Sequence, residues 1–177
     1  TLGVNGDNED FIEFYNEGPT QVDLEGYFLS DNPDNPDMFE IPAGTTINAG
    51  GYLLIICSNE GEVPENLYVG GNLNTNFKIT QTMGESLVFS DPNGNVLESY
   101  TFYEDWTPTQ ADHSWARDQN GVMGQWKVCT NPTPGGGVAA DLFDEYAPTP
   151  GFEQEAGYYP GGTNVTLTPP AGFDIRY

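Results

Sequence analysis

The chain has 177 residues, with 27 acidic residues against 4 basic ones and a formal net charge of -23. A chain of this length can bury the core of one sandwich domain of ordinary size, with some chain left over. The 14 acidic residues before Lys78, the first basic residue, repel phosphate polymers and anionic lipid surfaces. The charge therefore excludes nucleic acid as an expected partner.

Hydropathy predicts no membrane insertion. The longest apolar run, around Leu53 to Cys57, has the length of a strand and falls far short of the roughly 18 residues of a membrane span. The N-terminus lacks a basic, apolar leader. Acidity, frequent turns and two cysteines together favour a secreted or cell-surface protein.

The first elements along the chain are predicted strands. Phe11 to Tyr15 has the composition of a half-buried strand that ends at the turn Asn16 to Pro19. Tyr52 to Cys57 is an apolar run bounded by Gly50-Gly51 and Ser58-Asn59, which is typical of a buried central strand. Period-2 patterning and turn residues leave little room for helices.

The next elements form a predicted hairpin. Pro92 takes the second position of the turn Asp91 to Asn95, and Asn93-Gly94 follows it. The returning strand, Val96 to Phe102, has one mainly apolar side and one mixed side. A further strand, Gln125 to Cys129, is expected to close the domain.

These elements, in this order, resemble the lamin-tail domain, an immunoglobulin-like β-sandwich, over roughly residues 9 to 137. The motifs that carry the resemblance are Phe11 to Tyr15, Val22 to Asp31, Ile41 to Ile56, Asn76 to Ile79, Leu87 to Gly94 and Pro132 to Gly135. The resemblance implies a binding and architectural module without an active site. Lamin-tail-like domains usually have an earlier strand, which here is missing or reduced to Leu2 to Val4, so assembly through an edge strand is an open alternative.

The fold class expected is therefore all-β, an immunoglobulin-like β-sandwich followed by the beginning of a second small β-sandwich. Residues 1–137 form the lamin-tail-like domain and residues 138–150, rich in Gly, Ala and Pro, form a linker. Residues 151–177 resemble the opening of chitobiase C-terminal-like or fibronectin-III-associated modules. That second module is expected to be incomplete, as part of a longer protein.

The densest group of hard oxygen ligands is a predicted calcium site. Calcium takes six to eight oxygen ligands from flexible loops, and a loop stiffened by two prolines offers several carboxylates here. The alternative is an ordinary turn, because Asn-Pro and Asp-Pro pairs favour turns. The candidate ligands are Asp31, Asn32, Asp34, Asn35 and Asp37, helped by Asp7, Glu9 or Asp10.

Aromatic residues form a second candidate site. Their rings stack on the apolar faces of sugars, so a glycan is a candidate ligand of Trp106, Trp115, Tyr158 and Tyr159. The alternative is that such side chains fill the core or cover loop bases.

Cys57 and Cys129 are predicted to be a disulfide or two buried free thiols, with both outcomes left open. A bridge over so long a loop adds roughly 4 kcal/mol in the chain-entropy model. Burial alone does not separate the two outcomes, since free Cys is among the residue types most often buried.

Catalytic signals are weak throughout the chain. His113 is the only histidine, so a Ser-His-Asp site would have to use it, and a surface or loop position is favoured. The resemblance implies that Arg117, in the segment Asp112 to Arg117, anchors a loop to a carboxylate. No zinc ligand set and no phosphate-binding glycine motif is present, so no organic cofactor is expected.

The sequence thus predicts a non-enzymatic extracellular or cell-surface module that engages a protein, a glycan or a matrix component. One alternative is the targeting region of a larger secreted enzyme, a spore-coat-protein-H-like kinase or a hydrolase, whose catalytic domain lies C-terminal. Another is a subunit of an extracellular filament or assembly.

Overall fold

The structure is a computed structural model, which describes residues 2–4, 7–63, 67–80, 85–102, 110, 112–118, 125–136 and 141–176. Within these ranges the chain forms strands joined by turns and irregular loops, and no helix. The all-β prediction is therefore confirmed. In the same ranges, no helix is present that could cross a membrane.

The strands follow one another at short intervals along the chain. They are β1 (Leu2–Val4), β2 (Asp7–Tyr15), β3 (Val22–Asp23), β4 (Phe28–Ser30), β5 (Phe39–Glu40), β6 (Thr46–Ile47), β7 (Tyr52–Cys57), β8 (Tyr68–Val69), β9 (Asn72–Asn74), β10 (Glu85–Ser90), β11 (Val96–Phe102), β12 (Ser114–Arg117), β13 (Trp126–Cys129), β14 (Leu142–Phe143), β15 (Gly151–Phe152) and β16 (Leu167–Thr168).

The first sheet has the strand order β1-β2-β7-β9-β8. Only β7 and β9 run parallel; the other neighbours are antiparallel. Ile55 and Ile56 are successive residues of β7, so they point to opposite faces, and both are 0% exposed. Both faces of β7 are thus covered, which explains its continuous apolar sequence and confirms the predicted buried central strand.

The second sheet has the order β11-β10-β4-β5, with antiparallel neighbours throughout. The predicted hairpin joins β10 to β11. The Asp91 carboxylate accepts hydrogen bonds from the backbone N–H groups of Asn93 and Asn95 and from the Asn95 amide. Gly94 has a φ of 80°, in the left-handed region that glycine adopts without strain. The turn chemistry of the sequence therefore fixes this reversal.

The two sheets pack face to face around one apolar core. Ile12 and Ile55 come from the first sheet, and Leu29 and Phe39 come from the second. Phe14 of β2 and Phe89 of β10 meet across the interface with ring centroids 5.0 Å apart. Each large side chain buried in this way contributes roughly 1.5–3 kcal/mol, so the sandwich holds most of the stabilising surface.

A third sheet, β12-β13-β14, packs against the end of β11 through aromatic side chains. The Trp126 ring lies 5.3 Å from Tyr100 and 5.7 Å from Phe102, between ring centroids. Arg117 forms an ion pair with Glu98, and its guanidinium carbon lies 4.9 Å from the Trp126 ring centroid. Arg117 therefore anchors this sheet to a carboxylate of β11, as the family resemblance implied.

Part of the predicted linker 138–150 is a strand of this third sheet. β14 pairs antiparallel with Val128 and Cys129 of β13. Lys127 supports the pairing with its Nζ atom 3.1 Å from the Asp144 Oδ1 atom. A strand of two residues has no readable alternation, so the Gly, Ala and Pro around it suggested a linker.

Residues 151–176 form a small hairpin, β15-β16, with extended loops. Phe152 lies directly opposite Leu167, so the two side chains share one face. Phe152 is 64% exposed and Leu167 is 43% exposed. The first strands predicted for this segment are thus present as a pair, with their apolar side chains uncovered.

Candidate functional site

The acidic loop from Asp31 to Asp37 closes on the buried hydroxyl of Ser30. This hydroxyl lies 2.7 Å from the Asn35 carbonyl oxygen and 3.0 Å from that of Asn32, and it accepts the Asn32 N–H at 2.9 Å. The Asn32 side-chain oxygen accepts the N–H of Asp34 at 2.9 Å. The loop is therefore organised by its own turn bonds.

The carboxylates of this loop differ in burial. Asp31 is half-buried, and burial raises its pKa, whereas Asp34 and Asp37 are exposed. In the part of the chain that the structure describes, no three His, Cys, Asp or Glu side chains are grouped so that they could hold a metal ion. Asp7, another predicted ligand, has a side chain outside the described part. Calcium binding by this loop stays a prediction.

Glu9 and Asp10, which the sequence adds to the calcium candidates, lie at the other end of β2. Glu9 pairs with Lys78, whose Nζ atom is 3.2 Å away. The pKa of Asp10 is raised, first by burial and then by the neighbouring Glu9 charge. Asp10, Asp31 and Glu9 all act electrostatically on the Cys57 thiol, so the fold directs these carboxylates toward one buried point.

Cys57 and Cys129 are free thiols in the structure, so the disulfide among the two predicted outcomes is not formed. Cys57 belongs to β7 in the main core, and Cys129 belongs to β13 in the third sheet; both are buried. Burial raises the pKa of the Cys57 thiol far above its ordinary value. This thiol is therefore protonated and inert at neutral pH.

The predicted aromatic ligand set is divided by the fold. Trp115 is half-buried and packs on Phe102 with centroids 6.0 Å apart, so it fills the contact between β11 and the third sheet. Tyr158, by contrast, is fully exposed, and Tyr159 is 47% exposed with its hydroxyl bonded to the Glu155 carbonyl. Trp106 lies outside the described residues. Only the two tyrosines are thus positioned to meet a ligand.

His113 has a structural contact with the segment after β14. Its Nδ1 atom lies 2.7 Å from the Tyr146 hydroxyl, and the two rings stack with centroids 5.7 Å apart. The same hydroxyl accepts the Gln110 N–H at 3.0 Å. The histidine therefore helps to fasten residues 141–146 to the domain.

The comparison with known families supplies the identity of the sandwich. The model of the lamin tail domain family matches residues 2–104, which is more than half of the chain. The chain belongs to the lamin tail domain family. No curated protein and no solved structure gives a significant match.

The lamin tail domain is an immunoglobulin-like module, which is compatible with a non-enzymatic binding or structural role. The matched residues contain the two main sheets and end just after β11. The third sheet and the β15-β16 hairpin follow the matched lamin tail region. The resemblance of residues 151–177 to chitobiase C-terminal-like modules stays a prediction.

Sequence reasoning missed two surface features next to the lamin tail core. Phe152 joins Tyr158 as an exposed aromatic, although its place in a predicted strand suggested burial. The Glu13 carboxylate accepts the N–H of Gly135 at 2.6 Å, a contact between residues 122 positions apart. No local pattern could have indicated this contact, because it depends on how the chain returns after β13.

Proposed function

We propose that this chain is a non-enzymatic binding module of a secreted or cell-surface protein, and that it engages a protein, a glycan or a matrix component. The lamin tail sandwich supplies a rigid body, and the hairpin segment, residues 151–176, supplies the contact surface. Loops and edges held by a rigid scaffold are the usual place for recognition.

The uncovered apolar side chains of the hairpin segment carry the proposal. Of the thirteen large apolar side chains that are exposed among the described residues, six lie within this segment. These six are Phe152, Tyr158, Tyr159, Val165, Leu167 and Phe173. Apolar patches rimmed by polar groups mark interaction surfaces, and aromatic side chains are enriched there.

A binding panel tests the proposal directly. The labelled chain is applied to a glycan array and to a set of purified extracellular matrix proteins, and any hit is titrated. For the double variant Phe152→Ser/Tyr158→Ser we expect a loss of affinity of about tenfold or more, because aromatic anchors dominate binding energies. The matched control is Tyr68→Ser, which removes a 54% exposed aromatic from β8 of the sandwich.

Two results would overturn this assignment of the surface. One is binding that survives the double variant unchanged, and the other is an equal loss in the Tyr68→Ser control. A panel without any hit would remove the proposed glycan and matrix partners. The unfolding midpoint of each variant is measured in parallel, so that misfolding is not mistaken for lost contact.

A second candidate function is the targeting region of a larger secreted enzyme. The uncovered pair Phe152 and Leu167 favours it, because further strands of a second module would bury that face. Catalytic motifs downstream of Tyr177 in the parent sequence would support this alternative. Further sandwich repeats or an anchoring tail there would support an adhesin or a filament.

Calcium is the cofactor that this proposal includes. Support comes from Asp31 and Asp10, which both act on the Cys57 thiol, while backbone and amide oxygens of the loop could complete a shell of oxygen ligands. A calcium titration monitored by melting temperature tests it: the midpoint rises with calcium in the wild type and the Asp23→Asn control, and not in Asp31→Asn. An unchanged midpoint in the wild type would remove calcium from the proposal.

A further inference from the structure

β2 has one edge that is paired along most of its length and one that is paired only at its start. On one side, β7 pairs with residues 10–15 of β2. On the other side, β1 pairs with residues 7–9. Among the described residues, no strand continues the line of β1 past Glu9.

The hydrogen bonds at the end of β2 show which backbone groups face the unpaired edge. Asn16 donates its N–H to the Gly51 carbonyl at 3.0 Å and accepts the Gly50 N–H at 2.8 Å, both on the β7 side. Backbone groups alternate in direction along a strand, so the even-numbered residues of β2 bond to β7. The N–H and C=O groups of Phe11, Glu13 and Tyr15 therefore point to the opposite edge.

Glu13 stands at the centre of this unpaired edge, defined as Phe11, Glu13 and Tyr15. Its Oε2 atom accepts the Gly135 N–H, while burial raises the pKa of its carboxyl group. A strand added here would place one side chain directly opposite Glu13 on the same face of the sheet. A basic side chain at that position would compensate the half-buried carboxylate.

A second copy of the chain fits this edge poorly. Antiparallel pairing of two β2 edges about their common centre puts Glu13 directly opposite Glu13 of the other copy. Like charges at such a position are destabilising. The net charge of -23 adds repulsion between whole chains. A partner that is basic at its centre is the complementary occupant.

We propose that the unpaired edge of β2 accepts an extended segment of another protein as an added strand, antiparallel to β2 and in line with β1, with a lysine or arginine opposite Glu13. This inference rests on the proposed binding role and adds a second surface to the hairpin segment. Main-chain hydrogen bonds to Phe11, Glu13 and Tyr15 would supply affinity, and the basic side chain would supply specificity.

Synthetic peptides test the inference on the full chain. One peptide of about nine residues alternates valine and threonine around a central lysine, and its match has glutamate at the centre. We expect the lysine peptide to bind about tenfold more tightly, as the difference between an opposite-charge and a like-charge cross-strand pair. Amide hydrogen exchange should show new protection at Phe11, Glu13 and Tyr15, which are unprotected in the free chain.

Two variants separate strand addition from non-specific charge attraction. Glu13→Lys should reverse the preference between the two peptides. Tyr15→Pro removes an N–H from the unpaired edge and leaves the bonds to β7 intact, so it should weaken both peptides. If Tyr15→Pro does not fold, the reversal in Glu13→Lys still decides.

Three outcomes would overturn the inference: equal binding of both peptides, binding without new amide protection, or protection of these amides in the free chain. A concentration-dependent dimer that Tyr15→Pro abolishes would also overturn it, by making a second copy the occupant. The glycan and matrix panel reads the hairpin segment separately. Failure of the peptides therefore leaves that test unaffected, and the reverse also holds.

Discussion

The lamin tail sandwich and the hairpin segment differ in almost every property that determines stability. In the sandwich, Leu29, Ile41 and Ile55 are 0% exposed and are packed by two facing sheets. In the hairpin segment, the apolar pair Phe152 and Leu167 is uncovered. The sandwich therefore stores the folding free energy, and the hairpin segment keeps its apolar surface available for contact.

The largest expected effect is a cavity in the sandwich. Ile55→Ala removes buried atoms from β7 at the centre of the first sheet, and we expect it to lower the free energy of unfolding by about 2–5 kcal/mol. Urea denaturation measures this change. The matched truncation in the hairpin, Leu167→Ala, should change stability by less than about 0.5 kcal/mol. Equal losses in the two variants would contradict the division between the regions.

Loss of the ion pair on the third sheet should have a smaller effect. Arg117→Ala removes the pair with Glu98 and the contact with the Trp126 ring, and we expect a loss of about 1 kcal/mol, because the guanidinium is partly exposed. Arg176→Ala, in the hairpin segment, serves as the control with no expected change. A larger loss in the control would place stabilising contacts in the wrong region.

Tyr146→Phe sharpens the boundary between the two regions. The variant removes the hydroxyl that meets Gln110 and His113, at an expected cost of about 0.5–1.5 kcal/mol. Hydrogen exchange should rise locally around residues 141–146. The same change at Tyr158, which is fully exposed, should leave stability unaltered. Unaltered exchange in Tyr146→Phe would mean that this segment is held by other contacts.

The pH dependence of stability should report on the half-buried carboxyls of the sandwich. Burial raises the pKa values of Asp10, Glu13 and Asp31, so the folded state binds protons before the unfolded state does. Stability therefore increases as the pH falls through their folded values and is complete below their unfolded values.

Asp91 has the opposite sign, because hydrogen bonds from Asn95 lower its pKa, and its contribution is lost at acidic pH. We expect the melting temperature to rise slightly between pH 7 and about pH 5, where the raised groups dominate. Glu13→Gln should flatten part of this rise. A melting temperature that falls steadily over this range would contradict the assigned burial.

The sequence predicted what local chemistry determines. The strand β7, the turn at Asp91 and the anchoring role of Arg117 each follow from residues close together in the chain or from the family pattern. The pairing of β14 and the contact of Glu13 with Gly135 do not, because they join segments whose approach depends on the whole fold. The same holds for Trp115, whose packing on Phe102 could not be separated from exposure by composition.

Residue-resolved hydrogen exchange of the free chain tests the central claim most directly. We expect the β7 amides, such as those of Ile55 and Ile56, to exchange only through global unfolding of the sandwich. The amides of residues 151–176 should exchange with little protection, because that segment buries almost no apolar surface. Equal protection in the two regions would contradict the account, since the hairpin segment would then be part of the same cooperative unit.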